Sequence, residues 1–204
     1  MDTLTAIASR RSVKHFDPNH RLSAAEEEQL LQAAILSPTA FNIQHWRFIV
    51  ARDPALRQQL RHLSWNQSQV TDASLYLILC ADLQAWNKAP QRYWQQAPEK
   101  VRQGLIKAMT DYYGPFPQTQ RDEAIRSCGM AAQTVMLAAK AMGYDSCPMA
   151  GFDYQAVGKL IQLPADHIIV MTIAIGKPLQ PAQARPGQLP LSEICFTDRF
   201  PAGG

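Results

Sequence analysis

The chain has no apolar run of the roughly 18–20 residues that a bilayer-spanning helix needs, so no membrane partner is expected. At Met1-Asp2-Thr3-Leu4 there is no basic stretch leading into an apolar core. No signal peptide is expected there, and a cytoplasmic location follows as the expectation. Cysteine is scarce: Cys80, Cys128, Cys147 and Cys195 lie far apart and form no Cys-x-x-Cys. Cys80 sits in an apolar strand-like run and Cys128 in a helical pattern, which reads as buried reduced thiols rather than disulfides. No His or Cys spacing suits a metal, so none is expected. No long Lys/Arg run occurs, although the net charge is +3 and the pI about 8.7. Nucleic acid is therefore a poor partner, and an anionic small molecule fits better. Internal repeats and linkers are also missing, and 204 residues suit one domain spanning 1–204 with a sizeable core. None of His15, His20, His45, His62 and His167 pairs with a Ser or Cys in a nucleophile–base pattern, and each reads as structural or surface.

What is present is a globular composition, 47% hydrophobic and 18% charged. Residues 2–9 read as a short helix with Leu4, Ile7 and Ala8 on its apolar side. Ser23-x-x-Glu26 is a capping box opening a helix with Leu30, Leu31, Ala34 and Ile35 as its stripe. Pro38 ends it, because the residue before a proline avoids the α region. Trp46–Ala51 reads as a strand. Asp53-Pro54 supplies an N-cap and N1 proline for a helix to about His62. Leu75–Ala81 and Ile168–Ile175 are nearly unbroken apolar runs, as expected of strands covered on both faces. A helix is expected from about Glu99 to Met109. Thr119–Met142 is the longest periodic element, closed by Gly143. Asp153 caps a helix to about Leu163. Residues 83–118 are rich in aromatics and prolines, and read equally as a cap over a ligand or as a surface excursion. The proline-rich tail ends in a strand-like fragment at 192–197, whose distance from the last core element suggests pairing on another subunit.

Two stretches carry chemistry. In Arg10-Arg11-Ser12-Val13-Lys14, strand alternation puts Arg10, Ser12 and Lys14 on one face and Arg11 on the other. Two cations flanking a hydroxyl suit a phosphate; the plainer reading is a solvated basic arm. Between Ser37 and Phe48, the polar groups are Thr39, Asn42 and Gln44, with no acid among them. Amides donate and accept at once, which suits a heteroaromatic ring edge; the plainer reading is a connecting loop.

Together these stretches resemble the nitroreductase family of FMN-dependent flavoproteins. Arg10, Ser12 and Lys14 fit its Arg-x-Ser-x-Arg/Lys segment. Ser37, Pro38, Thr39, Asn42, Gln44 and Trp46 fit its Ser-Pro-Ser/Thr-x-x-Asn-x-Gln-Pro-Trp, with His45 in place of the usual proline. Gly143, Pro148, Gly151 and Phe152 fit a later Gly-x-x-x-x-Pro-x-x-Gly-Phe. The three motifs stand in the family's order and cover nearly the whole chain.

The resemblance implies an α+β fold, a mixed central sheet of four or five strands flanked by helices. It implies an intertwined homodimer with C-terminal strand exchange and FMN in two interface clefts. Arg10, Ser12 and Lys14 would hold the phosphate and ribityl chain, Arg11 through its backbone. Pro38, Thr39, Ala40, Asn42 and Gln44 would reach the ring from the partner subunit. Asn66 and Gln69 would lie at the pyrimidine edge, Gln69 replacing a frequent lysine. Pro148, Met149, Ala150 and Gly151 would line one ring face with a backbone N–H toward N5, Ala150 replacing a frequent glutamate. Arg185 would reach the phosphate. The implied chemistry is a ping-pong cycle in which NADH or NADPH reduces the flavin and an electron-poor acceptor, a nitroarene or quinone, reoxidises it. No protein side chain is expected to be catalytic, since the flavin N5 carries the hydride. The rival expectation is a non-catalytic flavin-binding protein of the same fold.

Overall fold

In the computed structural model, residues 1–201 are described. The chain runs α1 (Thr3–Ser9), α2 (Ala24–Ile35), β1 (Trp46–Val50), α3 (Pro54–Leu63), α4 (Gln69–Asp72), β2 (Leu75–Asp82), α5 (Glu99–Tyr113), α6 (Pro117–Ala141), β3 (Asp145–Met149), α7 (Tyr154–Leu160), β4 (His167–Gly176) and α8 (Leu191–Ile194).

The sheet order is β1-β2-β4-β3, and every neighbouring pair is antiparallel. This corrects the expected mixed sheet: among the described residues, parallel pairing is confined to an isolated bridge between Ser12 and Ser146. All of β2 is buried because both of its faces are covered. Leu75, Leu77, Leu79 and Ala81 meet one layer with α2 and α6, while Tyr76, Ile78 and Cys80 meet the other beside α3 and α7. A register shift at Leu79/Cys80 leaves Val170 of β4 without an opposite number. Such a bulge moves inward-facing positions by one residue, so Ile168 and Val170 before it, and Ile173 and Ile175 after it, serve the same layer.

Helix ends follow the sequence signals. Ser23 and Glu26 complete the capping box. Asp53 accepts from Ala55 and Leu56 N–H with Pro54 at the first helical position. Gly143 adopts φ +83° behind α6. With 25 residues, α6 is about 37 Å long and its inner face is lined by Ala124, Cys128, Ala131, Ala132, Val135 and Ala139. Cys80, Cys128 and Cys147 are buried free thiols, and burial pushes Cys128 up to about 12.

Two further expectations change, and one strand went unread. In α1 the buried residue is Ala6, while Leu4 is 77% and Ile7 45% exposed. β3 was not legible because Asp-Ser-Cys-Pro-Met is short and carries a proline, which only an edge strand tolerates. The tail fragment at 192–197 is not a strand: Leu191–Ile194 forms a helical turn closed by Cys195 N–H to Leu191 O at 2.8 Å. A lone extended segment has no ladder for its backbone groups, and the turn satisfies some of them internally. Among the described residues no helix is long and apolar enough to cross a membrane.

Candidate functional site

Arg10 ends α1, and the chain then runs alongside β3, where Val13 N–H donates to Ser146 O at 3.1 Å. Val13 and Phe16 are buried between exposed Ser12, Lys14 and His15, so the arm is anchored by its apolar residues and presents its polar ones. Arg185 returns from the tail and donates to the Ile7 and Arg10 carbonyls, each at 3.2 Å. Two guanidiniums thus converge. Desolvation, then the charges of Arg185 and Arg11, depress the Arg10 pKa. Its Nη1 is buried with no hydrogen-bond partner, and so is Ser146 Oγ. Each such orphan costs about 1–3 kcal/mol. Like charges beside an orphaned Arg10 donor fit a bound anion that supplies the missing acceptor. Arg11 is spent elsewhere, donating to Ala8 O and Arg10 O. Ser12 and Lys14, with residues 180–183 of the tail, line a cavity of about 220 Å³.

The Pro38–Gln44 segment is fixed from behind. Thr39 Oγ1 lies 2.8 Å from Ser127 Oγ and Ser37 Oγ donates to Thr134 Oγ1 at 2.7 Å, both on α6. Asn42 Nδ2 donates to Tyr93 O at 2.8 Å. Ile43 is wholly buried in a cluster with Ala85, Trp86, Tyr93, Met109 and Tyr113. Residues 83–118 are therefore a packed aromatic cap seated on this segment, not a loose excursion. The cap's stem is clasped to the sheet by Lys88, whose Nζ lies 2.9 Å from Asp82 Oδ1 and 2.6 Å from Asp166 Oδ2. Asp82, Asp166 and His167 also come close enough together to ligate a metal, but that ammonium already lies between the two carboxylates.

A third segment, Ser64–Gln69, meets the end of β3. Gln67 Nε2 donates to Gly151 O at 3.0 Å, and Asp153 N–H to Leu63 O at 3.0 Å. A Cβ on Gly151 would stand 2.7 Å from the Trp65 ring, so glycine permits this close approach. Asn66 is exposed; Gln69 is buried and donates to Gln67 Oε1 at 3.0 Å. Pro148 and Gly151 are half-buried, Met149 buried and Ala150 exposed.

Of the eight non-glycine residues with positive φ among the described residues, five lie in these segments: Phe41, Asn42, Gln44, Trp65 and Asn66. Left-handed backbone is costly for such residues and tends to collect at functional sites.

The structure thus brings Arg10, Ser12, Lys14 and Arg185 into one region, and Asn66, Gln69 and Pro148–Gly151 into another. Pro38, Thr39, Ala40, Asn42 and Gln44 stand apart from both on the α6 side, and no hydrogen bond among the described residues joins them to either. A cavity of about 620 Å³ beside Arg121, Tyr154 and Ile168 contains none of these residues. Ser146 and Gln67 were not anticipated. Ser146 lies two residues before Pro148, within the motif already singled out, and strand alternation was the signal that could have found it.

Residues 7–177 match the sequence profile of the Nitroreductase family. The chain belongs to the nitroreductase family. It is 56% identical over 203 residues to Protein DrgA of Synechocystis, covering 97% of each chain. It is 29% identical to the NADH dehydrogenase of Thermus thermophilus, with 88% of each chain covered. A nitroreductase-family structure from Exiguobacterium sibiricum, solved in complex with FMN, superposes with a TM-score of 0.90 at 26% identity, covering 97% of each chain. This nitroreductase-family chain therefore carries its three motif segments on the family's fold.

Proposed function

We propose that this chain is an FMN-dependent oxidoreductase, driven by NADH or NADPH, that reduces electron-poor small molecules such as nitroarenes and quinones. The observation that carries the reading is the approach of Arg185 to Arg10, whose buried Nη1 has no partner. A phosphate there would satisfy the buried Arg10 Nη1 and offset the repulsion. The FMN-bound relative and the NADH dehydrogenase relative support the cofactor and the electron donor.

When bound, FMN supplies the chemistry of accepting and returning electrons. The protein's part is placement. Arg10, Ser12, Lys14 and Arg185 hold the phosphate end, with Ser146 as an added donor. Asn66 and Gln69 face the pyrimidine edge, and Gln67 locks their loop to Gly151. Pro148–Gly151 offers backbone to one ring face. Pro38–Gln44 contributes from a second copy of the chain in a homodimer, where clefts between subunits commonly hold ligands. Exposed Leu4, Ile7, Leu36, Leu191 and Phe200 supply apolar surface for that pairing. The aromatic cap backs Pro38–Gln44 and limits water at the ring.

Purified protein should be yellow and release FMN on heating, with about one FMN per chain. Colourless protein that takes up no added FMN would overturn the reading.

A further inference from the structure

A cavity of about 430 Å³ opens between the cap and the start of β1, lined by Gln44, Trp46, Arg47, Arg92, Tyr93 and Gln95. Two guanidiniums and two amides face it, and no carboxylate lines it. Arg47 is held in place: Nη1 donates to Gln44 O at 3.1 Å and Trp46 O at 2.9 Å, and Nη2 to Asp82 Oδ2 at 2.9 Å. Arg92 lies over the Tyr93 ring, 4.9 Å from its centroid, and donates to Tyr93 Oη at 2.9 Å. Tyr93 is itself fixed, its hydroxyl donating to Ala85 O at 2.7 Å and its carbonyl accepting from Asn42 Nδ2 at 2.8 Å. The cap wall of the cavity is therefore tied to the segment that carries Gln44.

Charge around the cavity does not cancel. Asp82 and Asp166 answer Arg47 and Lys88. Arg92 has no carboxylate partner among the described residues. A preorganised arginine with remaining N–H donors, in a polar pocket of net positive sign, suits a phosphate or carboxylate. Its neighbour on the rim is Gln44, one of the residues assigned to the flavin ring.

We propose that this cavity binds the anionic substituent of a substrate, a phosphate or carboxylate, while the substrate's reactive end lies at the flavin. The placement at the flavin rests on the functional reading above; the anion site itself rests on Arg47, Arg92 and the two amides. Both a nucleotide electron donor and an acidic electron acceptor carry such a group.

Calorimetric titration of the FMN-loaded protein with two pairs of redox-inert probes tests this: 5′-AMP against adenosine, and benzoate against benzamide. For at least one pair, wild type should bind the charged member about tenfold or more tightly, a difference worth about 1.4 kcal/mol. Arg92→Ala should abolish that preference and Arg92→Lys should restore part of it. Loss in the AMP pair assigns the site to the donor's phosphate; loss in the benzoate pair assigns it to an acceptor's carboxylate. No charge preference in wild type, or a preference that survives Arg92→Ala, would overturn the proposal. The flavin absorbance of the same samples separates the two readings: protein that cannot be loaded with FMN refutes the flavin assignment, while its titration still reports on the cavity.

Discussion

Arg10 is held at a cost that its own chain does not offset. Its Nη1 is buried without a partner, and Arg185 stands beside it. Removing the side chain should therefore have opposite effects on two measurements. In Arg10→Ala, FMN affinity should fall at least about tenfold, since charge-assisted hydrogen bonds contribute about 1.5–3 kcal/mol each. The flavin-free protein should melt at the wild-type temperature or above, because an orphaned donor and a like-charge contact are gone. Equal flavin affinity in the two proteins would sink the assignment. His45 shows the same reasoning with a titratable group. Burial lowers its pKa, partly offset by Asp82, whose carbonyl lies 3.0 Å from Nδ1; Arg47 and Glu123 are the other charges facing it. With Nδ1–H donating there, Nε2 is left a buried acceptor without a partner. The folded state thus prefers neutral His45. Its contribution is full above the unfolded value of about 6.5 and is lost as pH falls below it, by up to about 1.4 kcal/mol per pH unit until the folded value is reached. Denaturant unfolding at about pH 7.5 and about pH 5.5 should show a larger acid loss in wild type than in His45→Gln. Equal losses would mean that His45 is not held neutral. The basic side chains of the arm were legible in the sequence because they are adjacent; Arg185 joined them only through the family resemblance, because its approach to Arg10 spans most of the chain, and Ser146 was missed because the short, proline-bearing β3 was not recognised as a strand.

At the scale of elements, caps and apolar periodicity announced the helices and the buried strands, since those signals are local. The Ser23 capping box, the Asp53-Pro54 start and the alternation through β2 all act within a few residues. β3 and the one-turn helix α4 escaped because they are short and hold their shape through neighbours. Residues 83–118 had no legible role for a related reason. Their aromatics show no period, and order comes from packing on Ile43 and from Lys88 bridging Asp82 and Asp166. Lys88 is raised in pKa despite some desolvation, because both carboxylates favour its charge. Replacing it should loosen the stem without dismantling the core, since Asp82 keeps Arg47 as a partner. In Lys88→Met, amide exchange across residues 83–98 should quicken while β2 and β4 keep their protection. Unchanged exchange in that segment would show that aromatic packing alone seats the cap.

For the whole molecule, the segments assigned to the flavin divide into groups that one chain does not join, and large apolar side chains remain outside. In the tail, Leu189 is 65%, Leu191 76% and Phe200 77% exposed. A single chain gains little by holding such a tail, whereas a second copy could cover it. The sequence pointed to a tail that leaves the core but mistook its local shape: Leu191–Ile194 closes into a helical turn that satisfies backbone groups a lone extended segment would leave unpaired. Truncation after Gln188 should lower the stability of the dimer and its flavin content together, read by sedimentation and by absorbance during heating. A truncated protein that stays dimeric and yellow to the wild-type temperature would show that the tail serves neither. The proposed activity is a transfer of electrons in two halves, and anaerobic half-reactions follow each one separately. NADH or NADPH alone should bleach the yellow protein, and adding p-benzoquinone after removal of the nicotinamide should restore the colour in proportion to the quinone supplied. A protein that binds FMN but is bleached by neither nicotinamide, or that stays bleached with quinone, would contradict the account and leave a flavin-binding protein without this activity.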